Sequence, residues 1–358
     1  MTGVDRDRVL RDRIRTDLPA AAFDLHPWRL VLGIPLVAVI AAGSVAVVGA
    51  PMPWYAALPI SMAMGVLYAS LFFFGHEVGH GAVIRSRRGR TAVLYVTCLI
   101  YMLSPHLWLI WHNHAHHAHT NVVDHDPDTF GTLEQWSRNR GSQLLARFAP
   151  GSGHWLSILY LPLFFTLQSH GVLWLFGTGP AFRRLDRRRA IRDSALMALF
   201  WIVMAVCAGP RGALFAIVIP MLTVNLVMMS YVVTNHMLRP LADGPDSLTT
   251  TMSVSTFKLI DWLLFNFSHH VEHHLFPSMS PRYYPRVRRS LRRHAADRYL
   301  APAHWRAVLL VFRTPRLYVD ARTLVRPATG QRISLGAVED AVRARRLRPT
   351  PESSGALG

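Results

Sequence analysis

The sequence predicts an all-α integral membrane protein with four transmembrane helices and additional re-entrant or interfacial helices. Hydrophobic residues fill 51% of the 358 positions. They gather into runs of about 20 residues, the length of helix that crosses the hydrocarbon core of a bilayer. Three dense clusters of histidine lie at the ends of such runs. We therefore expect helices in a membrane, with polar chemistry gathered at one of its surfaces.

The formal charge of +18 is distributed as in loops that face anionic lipid. Four arginine-rich stretches flank the apolar runs, at 6–15, 85–90, 183–192 and 282–293. No basic module interleaved with aromatic residues is present, so we expect no nucleic-acid partner. The two cysteines, Cys98 and Cys207, both lie in apolar runs, which argues against a disulfide framework and a thiolate metal site.

The first pair of spans is predicted at 30–48 and 54–74. Segment 1–28 is polar and arginine-rich, so we expect no signal peptide and a cytoplasmic N-terminal segment. Because the linker 49–53 carries no charge, the positive-inside rule also places His76 on the cytoplasmic side.

The second pair of spans is predicted at 194–208 and 212–233, joined by the turn Gly209-Pro210-Arg211. Two other apolar runs, 92–111 and 154–176, contain proline and polar residues. If either run crossed the bilayer, histidine clusters would lie on opposite faces, about 30 Å apart. We therefore expect both runs to be re-entrant or interfacial.

The distribution of apolar runs and charged stretches predicts three regions along the chain. After the N-terminal segment, residues 29–284 form the membrane domain, in which 255–267 is amphipathic or interfacial. Residues 285–358 form a basic cytoplasmic region with a short buried element at 309–312. The tail 348–358 is expected to be disordered.

The first histidine cluster ends the second predicted span. His76 and His80 are four residues apart and share one helix face, so both rings can reach one ion. Gly75 and Gly79 would let another segment approach closely. The pattern His-Glu-x-x-His is also the zinc-protease signature, with Glu77 as general base. The spacing therefore predicts a metal without identifying it.

The second cluster lies within 111–128. His112 and His116 repeat the four-residue spacing, and His117 adds a ring about 100° further round the helix. The expected ligands are His112, His116 and His117. More peripheral or surface positions are expected for His114, His119 and His125. The cluster also contains three carboxylates, those of Asp124, Asp126 and Asp128. They either hold ring N–H groups in place or cap a turn at Pro127.

In the third cluster, His270, His273 and His274 are three or four residues apart and are the expected ligands. Glu272 is expected to form an ion pair or to support a ligand, and His269 stays open. His236 leaves the last span on the same side, as either a ninth ligand or a packed residue. Eight or nine nitrogens exceed the needs of one ion and suit two, and ligation by nitrogen without thiolate fits iron.

Three sequence boxes resemble those of the membrane fatty-acid desaturases over about residues 72–284. They are His76-Glu-Val-Gly-His80, then HNHAHHAHTN from His112, then HVEHHLFP from His270. The resemblance implies a cytoplasmic non-haem centre of two iron ions, which would use O2 as co-substrate to insert a double bond into a fatty acyl chain. The acyl carrier, whether lipid, CoA or carrier protein, stays open. The implied ligands are His76, His80, His112, His116, His117, His270, His273, His274 and the extra His236.

Three features qualify the resemblance. Three residues separate His112 from His116, where many members have two, so His114 is an alternative ligand. His270 stands where front-end desaturases often have glutamine, which leaves the double-bond position open. His26-Pro27 is not followed by two glycines, so no fused cytochrome is expected and the resemblance implies a separate ferredoxin-like electron donor that docks on basic loops.

Three alternatives stay open. The same centre could hydroxylate an acyl chain. A membrane zinc protease could be built on His76, Glu77 and His80, although it leaves two clusters unexplained. A metal carrier would place ligands inside the spans, where the clusters do not lie.

Overall fold

The structure, a computed structural model, describes residues 2–176, 180–244 and 246–349, most of them in helices. The expected disordered tail lies outside these ranges from residue 350 onward. The helices of the first half are α1 Gly3–Arg15, α2 Gly33–Gly49, α3 Trp54–Gly79, α4 Arg87–Thr97, α5 Pro105–Trp108, α6 His117–His119, α7 Leu133–Arg138 and α8 Arg140–Phe148. Those of the second half are α9 Tyr160–Gly171, α10 Arg187–Ala213, α11 Ile219–His236, α12 Ser247–Thr250, α13 Lys258–Leu263, α14 His270–Leu275, α15 Tyr284–His294, α16 His304–Arg313 and α17 Leu335–Arg343.

Shorter helical turns connect or extend these helices. The 3₁₀ turns are Ala20–Phe23, Pro27–Leu32, Leu99–Tyr101, Trp155–Leu159, Pro180–Phe182 and Pro281–Tyr283. The π-helical segments are Leu109–His116, Val172–Phe176 and Leu214–Val218. The first π-helical segment carries three of the six histidines of the second cluster, His112, His114 and His116.

Four helical stretches in the described part of the chain are long and apolar enough to cross a membrane. They are Pro27–Gly49, Trp54–Gly79, Trp155–Leu175 and Arg187–His236. The last one contains both spans of the predicted second pair. Gly209 interrupts it with a φ of 69° and a ψ of 175°, which no helix contains, at the turn expected from the sequence. The four predicted spans are therefore all helical.

Two runs were expected to be re-entrant. The run 92–111 is not one helix, because Met102 adopts a left-handed φ of 52° and Ser104 caps a new helix. The stretch Trp155–Leu175 is long enough to span, and its helix α9 packs along α11. The re-entrant course of both stays a prediction.

The outward faces of the spanning helices are apolar. Val45 on α2 is 72% exposed and Val206 on α10 is 76% exposed, and neighbouring outward positions are also aliphatic. Such continuous apolar exposure is unfavourable in water and favourable in lipid. This surface supports the assignment of the chain as a membrane protein.

Close packing between helices uses glycines of α3. An added Cβ at Gly65 would meet Thr223 of α11, and one at Gly75 would meet Thr97 of α4. The close approach expected at Gly75 is therefore confirmed. It sets the last turns of α3, with His76, against the C-terminal end of α4.

The C-terminal region corrects the all-α prediction. Three short antiparallel strands form a sheet in the order β1-β2-β3: β1 Leu317–Tyr318, β2 Thr323–Arg326 and β3 Gln331–Ser334. Gly330, with a φ of 67°, allows the tight turn between the last two strands. Strands this short give little periodic signal in the sequence. The buried element expected at 309–312 is part of the ten-residue helix α16.

The N-terminal and C-terminal regions share a core. Leu10 and Ile14 of α1 belong to the same buried cluster as Val287 and Leu291 of α15 and Leu275 of α14. This cluster places the two terminal regions beside the third histidine cluster. The domain boundaries at 28 and 284 stay a prediction.

Candidate metal centre

The structure brings together nine histidines from four separate segments. They form two groups, in each of which the candidate ligand nitrogens all lie within 4.8 Å of one another. Group A consists of His76, His80, His112, His117 and His273. Group B consists of His116, His236, His270 and His274.

The first π-helical segment decides how the second cluster divides. In a π-helix each backbone N–H bonds to the carbonyl five residues earlier, so a residue lies about one turn away from the residue five positions further along. The N–H of His117 accordingly bonds to the carbonyl of His112, and these two rings lie in group A. His116 falls in group B instead. The four-residue spacing of His112 and His116 therefore does not bring these two rings into one group, and which ion each ring would bind stays a prediction.

The nitrogens within each group are close. In group A, Nε2 of His112 lies 2.8 Å from Nε2 of His76 and 3.2 Å from Nε2 of His117. In group B, Nε2 of His270 lies 2.7 Å from Nε2 of His236 and 3.1 Å from Nε2 of His274. Neighbouring nitrogens bound to one ion at about 2.1 Å are separated by roughly 3 Å.

The residues present fit a pair of metal ions. Nε2 of His80 is buried and has no hydrogen-bond partner, although it belongs to group A. An unpaired buried nitrogen is unfavourable, and a metal ion is one group that would satisfy it. The fit extends to the donor type, since all nine side chains offer imidazole nitrogen.

Burial keeps most of these rings neutral. Desolvation, reinforced by neighbouring histidines, holds the pKa of His112, His117, His273 and His274 well below its usual value. A neutral imidazole is the form that ligates a metal. For His116, burial lowers the pKa, but the carboxylates of Asp126 and Asp128 outweigh it and raise the pKa to about 9.

The Nδ1 nitrogens of two of these rings contact neighbouring side chains. Nδ1 of His116 lies 3.0 Å from Asp126 Oδ1 and 3.3 Å from Asp128 Oδ2. Nδ1 of His273 lies 3.1 Å from the hydroxyl of Tyr284. Such contacts fix ring orientation and direct Nε2 toward the centre. Asp126 has both of the roles considered for it, contact with a histidine ring and capping of the turn, because it also accepts the backbone N–H of Asp128.

Asp126→Asn should weaken metal binding by about 10- to 100-fold, because the amide cannot hold His116 as the carboxylate does. Metal content after graded exposure to a chelator measures this effect. Asp124→Asn is the matched control, since Asp124 instead accepts a hydrogen bond from Gln135, at 2.8 Å. Equal metal retention in both variants would contradict the role given to Asp126.

Four histidines of the three sequence clusters lie outside both groups. His114 is exposed, His119 bonds to the carbonyl of Ala115, and the rings of His119 and His125 stack at 5.4 Å. His269 contacts Ser268. The alternative in which His114 replaces a ligand therefore has no geometric support.

Glu77 is engaged in a buried ion pair. Arg29 donates to its two oxygens at 2.6 Å and 2.8 Å, and Ser280 donates at 2.8 Å. These bonds occupy the carboxylate that a zinc protease would need as general base. Glu272 forms the ion pair expected for it, with Arg288 at 2.9 Å. Sequence spacing gave no signal for Arg29 or Ser280, because each lies far from Glu77 along the chain, nor for Tyr284, which lies in a different helix from His273.

Trp108 packs between α3 and the centre. Its ring stacks on His112 with centroids 4.9 Å apart, and it fills the space beside Gly79 that a Cβ would occupy. The close approach expected at Gly79 is thus confirmed. The glycine allows an aromatic wall to fix a group A ring.

Gly79→Ala should destabilise the protein by about 1–3 kcal/mol and lower its metal content, because the added methyl displaces Trp108 and with it His112. Thermal unfolding and metal analysis measure the two effects. Gly49→Ala is the control, since nothing lies within 4 Å of a Cβ there. An unchanged metal content in Gly79→Ala would refute the proposed coupling.

A narrow apolar cavity of about 40 Å³ reaches histidines of both groups. Its walls include Phe72, Trp111, Phe165, Met228 and Phe267. Aromatic and aliphatic walls bind hydrocarbon and exclude water. The geometry therefore provides an apolar space beside the clustered imidazoles.

The sequence of this chain is similar to the sequences of known proteins. A sequence model of the fatty acid desaturase family matches residues 52–307. The chain is 28% identical over 250 residues to the Delta(5) fatty acid desaturase fat-4 of Caenorhabditis elegans, covering 62% of this chain and 54% of the relative. It is 25% identical over 310 residues to the Delta(8)-fatty-acid desaturase 2 of Arabidopsis thaliana, covering 76% and 66%.

A bacterial relative gives a similar match. The chain is 25% identical over 232 residues to the sn-1 acyl-lipid omega-3 desaturase (ferredoxin) of Synechocystis sp., covering 61% of this chain and 62% of the relative. The chain thus spans about half to two thirds of the length of these curated relatives.

Proposed function

Because the chain belongs to the fatty acid desaturase family, we propose that it inserts a double bond into a fatty acyl chain at two iron ions held by groups A and B. The observation that carries this proposal is the pair of adjacent imidazole groups beside an apolar cavity. Neither a buried ion-pair network nor a single zinc site needs nine such rings.

The chemistry asked of the centre is an oxidation. One –CH2–CH2– unit, O2, two electrons and two protons give –CH=CH– and two water molecules. Iron, when bound, would supply the reduction of O2 needed to break an unactivated C–H bond. Among the nine, the proposed ligands of one ion are the members of group A, and those of the other are the members of group B.

The protein's own residues would position the substrate. The apolar walls would hold a stretch of acyl chain against both groups, and Phe72 and Phe267 would keep water away from it. Gln168 donates to Asp128 at 2.8 Å, and so steadies a carboxylate that contacts His116. Orientation and exclusion of water are thus assigned to side chains already in place.

The electron donor is proposed to be a separate ferredoxin-like protein. The curated name of the Synechocystis relative includes ferredoxin, which supports this for that protein. The basic surface of this chain suits an acidic carrier. We place the metal centre and both termini on the cytoplasmic side, in keeping with the arginine-rich loops.

Expression in a bacterial host together with a ferredoxin and its reductase tests the function. We expect about two iron ions per chain in the purified protein and new unsaturated acyl chains in the host lipids. Gas chromatography with mass spectrometry identifies the products and shows which acyl lengths are used. Hydroxylated chains without a new double bond would replace the desaturase with a hydroxylase, and iron-free protein that is equally active would refute the centre.

A further inference from the structure

A second cavity, of about 220 Å³, reaches the histidines by another approach. It touches His117 and His274, whereas the apolar cavity touches neither, and the two cavities have no wall residue in common. The rings of His117 and His274 stack with centroids 4.3 Å apart. Since one ring belongs to group A and the other to group B, the cavity ends where the groups meet.

Most of the residues that line this cavity are polar or charged. They include Asp7 and Arg11 of α1, and Asp246 and Ser247 at the start of α12. Asp7 is 7% exposed and accepts the hydroxyl hydrogen bond of Ser247 at 2.7 Å. Val4, which borders the cavity, is 52% exposed, so the cavity extends to the protein surface beside α1. Roomy cavities with several polar partners hold ordered water, whereas apolar ones stay dry.

The proposed reaction requires such a space. Each double bond consumes two protons and releases two water molecules, while the acyl chain fills the apolar cavity. Neither water nor protons can pass readily through a cavity filled by hydrocarbon. We propose that the polar cavity beneath α1 is the aqueous route of the histidine centre, through which protons enter and product water leaves. The inference rests on the proposed function for the purpose of this route. The presence of water in the cavity does not depend on that function.

The chain is suited to a thiol-accessibility test, because it has two cysteines and Cys98 is buried. In a Cys207→Ser background, we compare Thr250→Cys with Thr251→Cys. Both threonines are buried and donate to the carbonyl four residues earlier, but only Thr250 lines the cavity. A cationic methanethiosulfonate reagent should label Thr250→Cys about tenfold or more faster, because a thiol outside the cavity reacts only during local opening.

Equal labelling rates for the two variants would overturn the aqueous route. If Thr250→Cys does not accumulate in the membrane, Pro277→Cys, at another lining residue, replaces it in the comparison. Val4→Trp, which fills the outer end, should slow the labelling, and an unchanged rate would also count against the route.

The second readout separates the route from the function. Labelled Thr250→Cys should lose most of its desaturation rate, whereas Thr251→Cys treated with the same reagent should keep it. Full activity of the labelled Thr250→Cys protein would refute the route and leave the desaturase function standing. Absence of desaturation in the unlabelled parent would refute the function, while the labelling contrast would still report on water in the cavity.

Discussion

His112→Ala and His270→Ala should each abolish desaturation, with a loss of about 100-fold or more, because each removes the nitrogen at the middle of its group. Nε2 of His112 lies within 3.2 Å of two other group A nitrogens, and Nε2 of His270 lies within 3.1 Å of two in group B. Each variant should also bind less than two iron ions per chain. Metal analysis and fatty-acid profiling of the same membranes measure both losses.

His119→Ala is the matched control for these substitutions. His119 lies only two residues from His117, yet its Nδ1 contacts the carbonyl of Ala115 and its ring stacks on His125, outside both groups. Iron content and product yield should stay at the parental level. A His119→Ala variant as impaired as His112→Ala would mean that histidine density, rather than the two groups, determines activity.

The same variants separate the proposal from a zinc protease. A protease built on the first box needs His76, Glu77 and His80 but has no use for His270. Peptide hydrolysis that persists in His270→Ala while desaturation is absent in the parent would favour the protease. Retained iron with lost desaturation in His270→Ala would instead show that this ring is not a ligand.

The sequence predicted much of the arrangement because its strongest signals are local. The apolar runs at 30–48 and 54–74 became α2 and α3, and Gly209 broke the helix where the turn was expected. Three histidine clusters at helix ends also predicted which rings would be near one another. These features depend on composition and spacing within a few residues, which the sequence displays directly.

The division of the rings could not be predicted in this way. An ordinary helix pairs His112 with His116, and only the π-helical segment pairs His112 with His117 instead. Trp108, which immediately precedes this segment, packs against Gly79 of α3, a contact between residues far apart in the chain. Tyr284 and Arg29 were missed for a related reason, since contacts between residues of different helices have no periodicity in the sequence.

Breaking the buried pair between Arg29 and Glu77 should have the largest effect on stability. The two side chains are 9% and 0% exposed, and two short hydrogen bonds join them. Removing one partner leaves a buried charge without compensation, which costs about 3–5 kcal/mol. We therefore expect Arg29→Met and Glu77→Leu each to lower the unfolding temperature of the detergent-solubilised protein markedly.

A control ion pair is available on the surface. Arg138 and Glu134 are paired four residues apart on α7, with side chains 72% and 69% exposed. Glu134→Gln should change stability by less than about 0.5 kcal/mol, because water already screens that pair. An equally large loss in this variant would show that the assay reports any charge change rather than burial.

The double variant Arg29→Met/Glu77→Leu then tests what the pair does. Apolar replacement of both partners removes the unpaired charge, so it should recover much of the stability lost in either single variant. Arg29 lies in the 3₁₀ turn Pro27–Leu32 that leads into α2, and Glu77 lies between His76 and the C-terminal end of α3. The pair therefore ties the start of the first spanning stretch to the first histidine cluster. If the only role of Glu77 is its ion pair with Arg29, desaturation should return together with stability in the double variant. Recovered stability without recovered activity would instead assign the carboxylate a role in the chemistry itself.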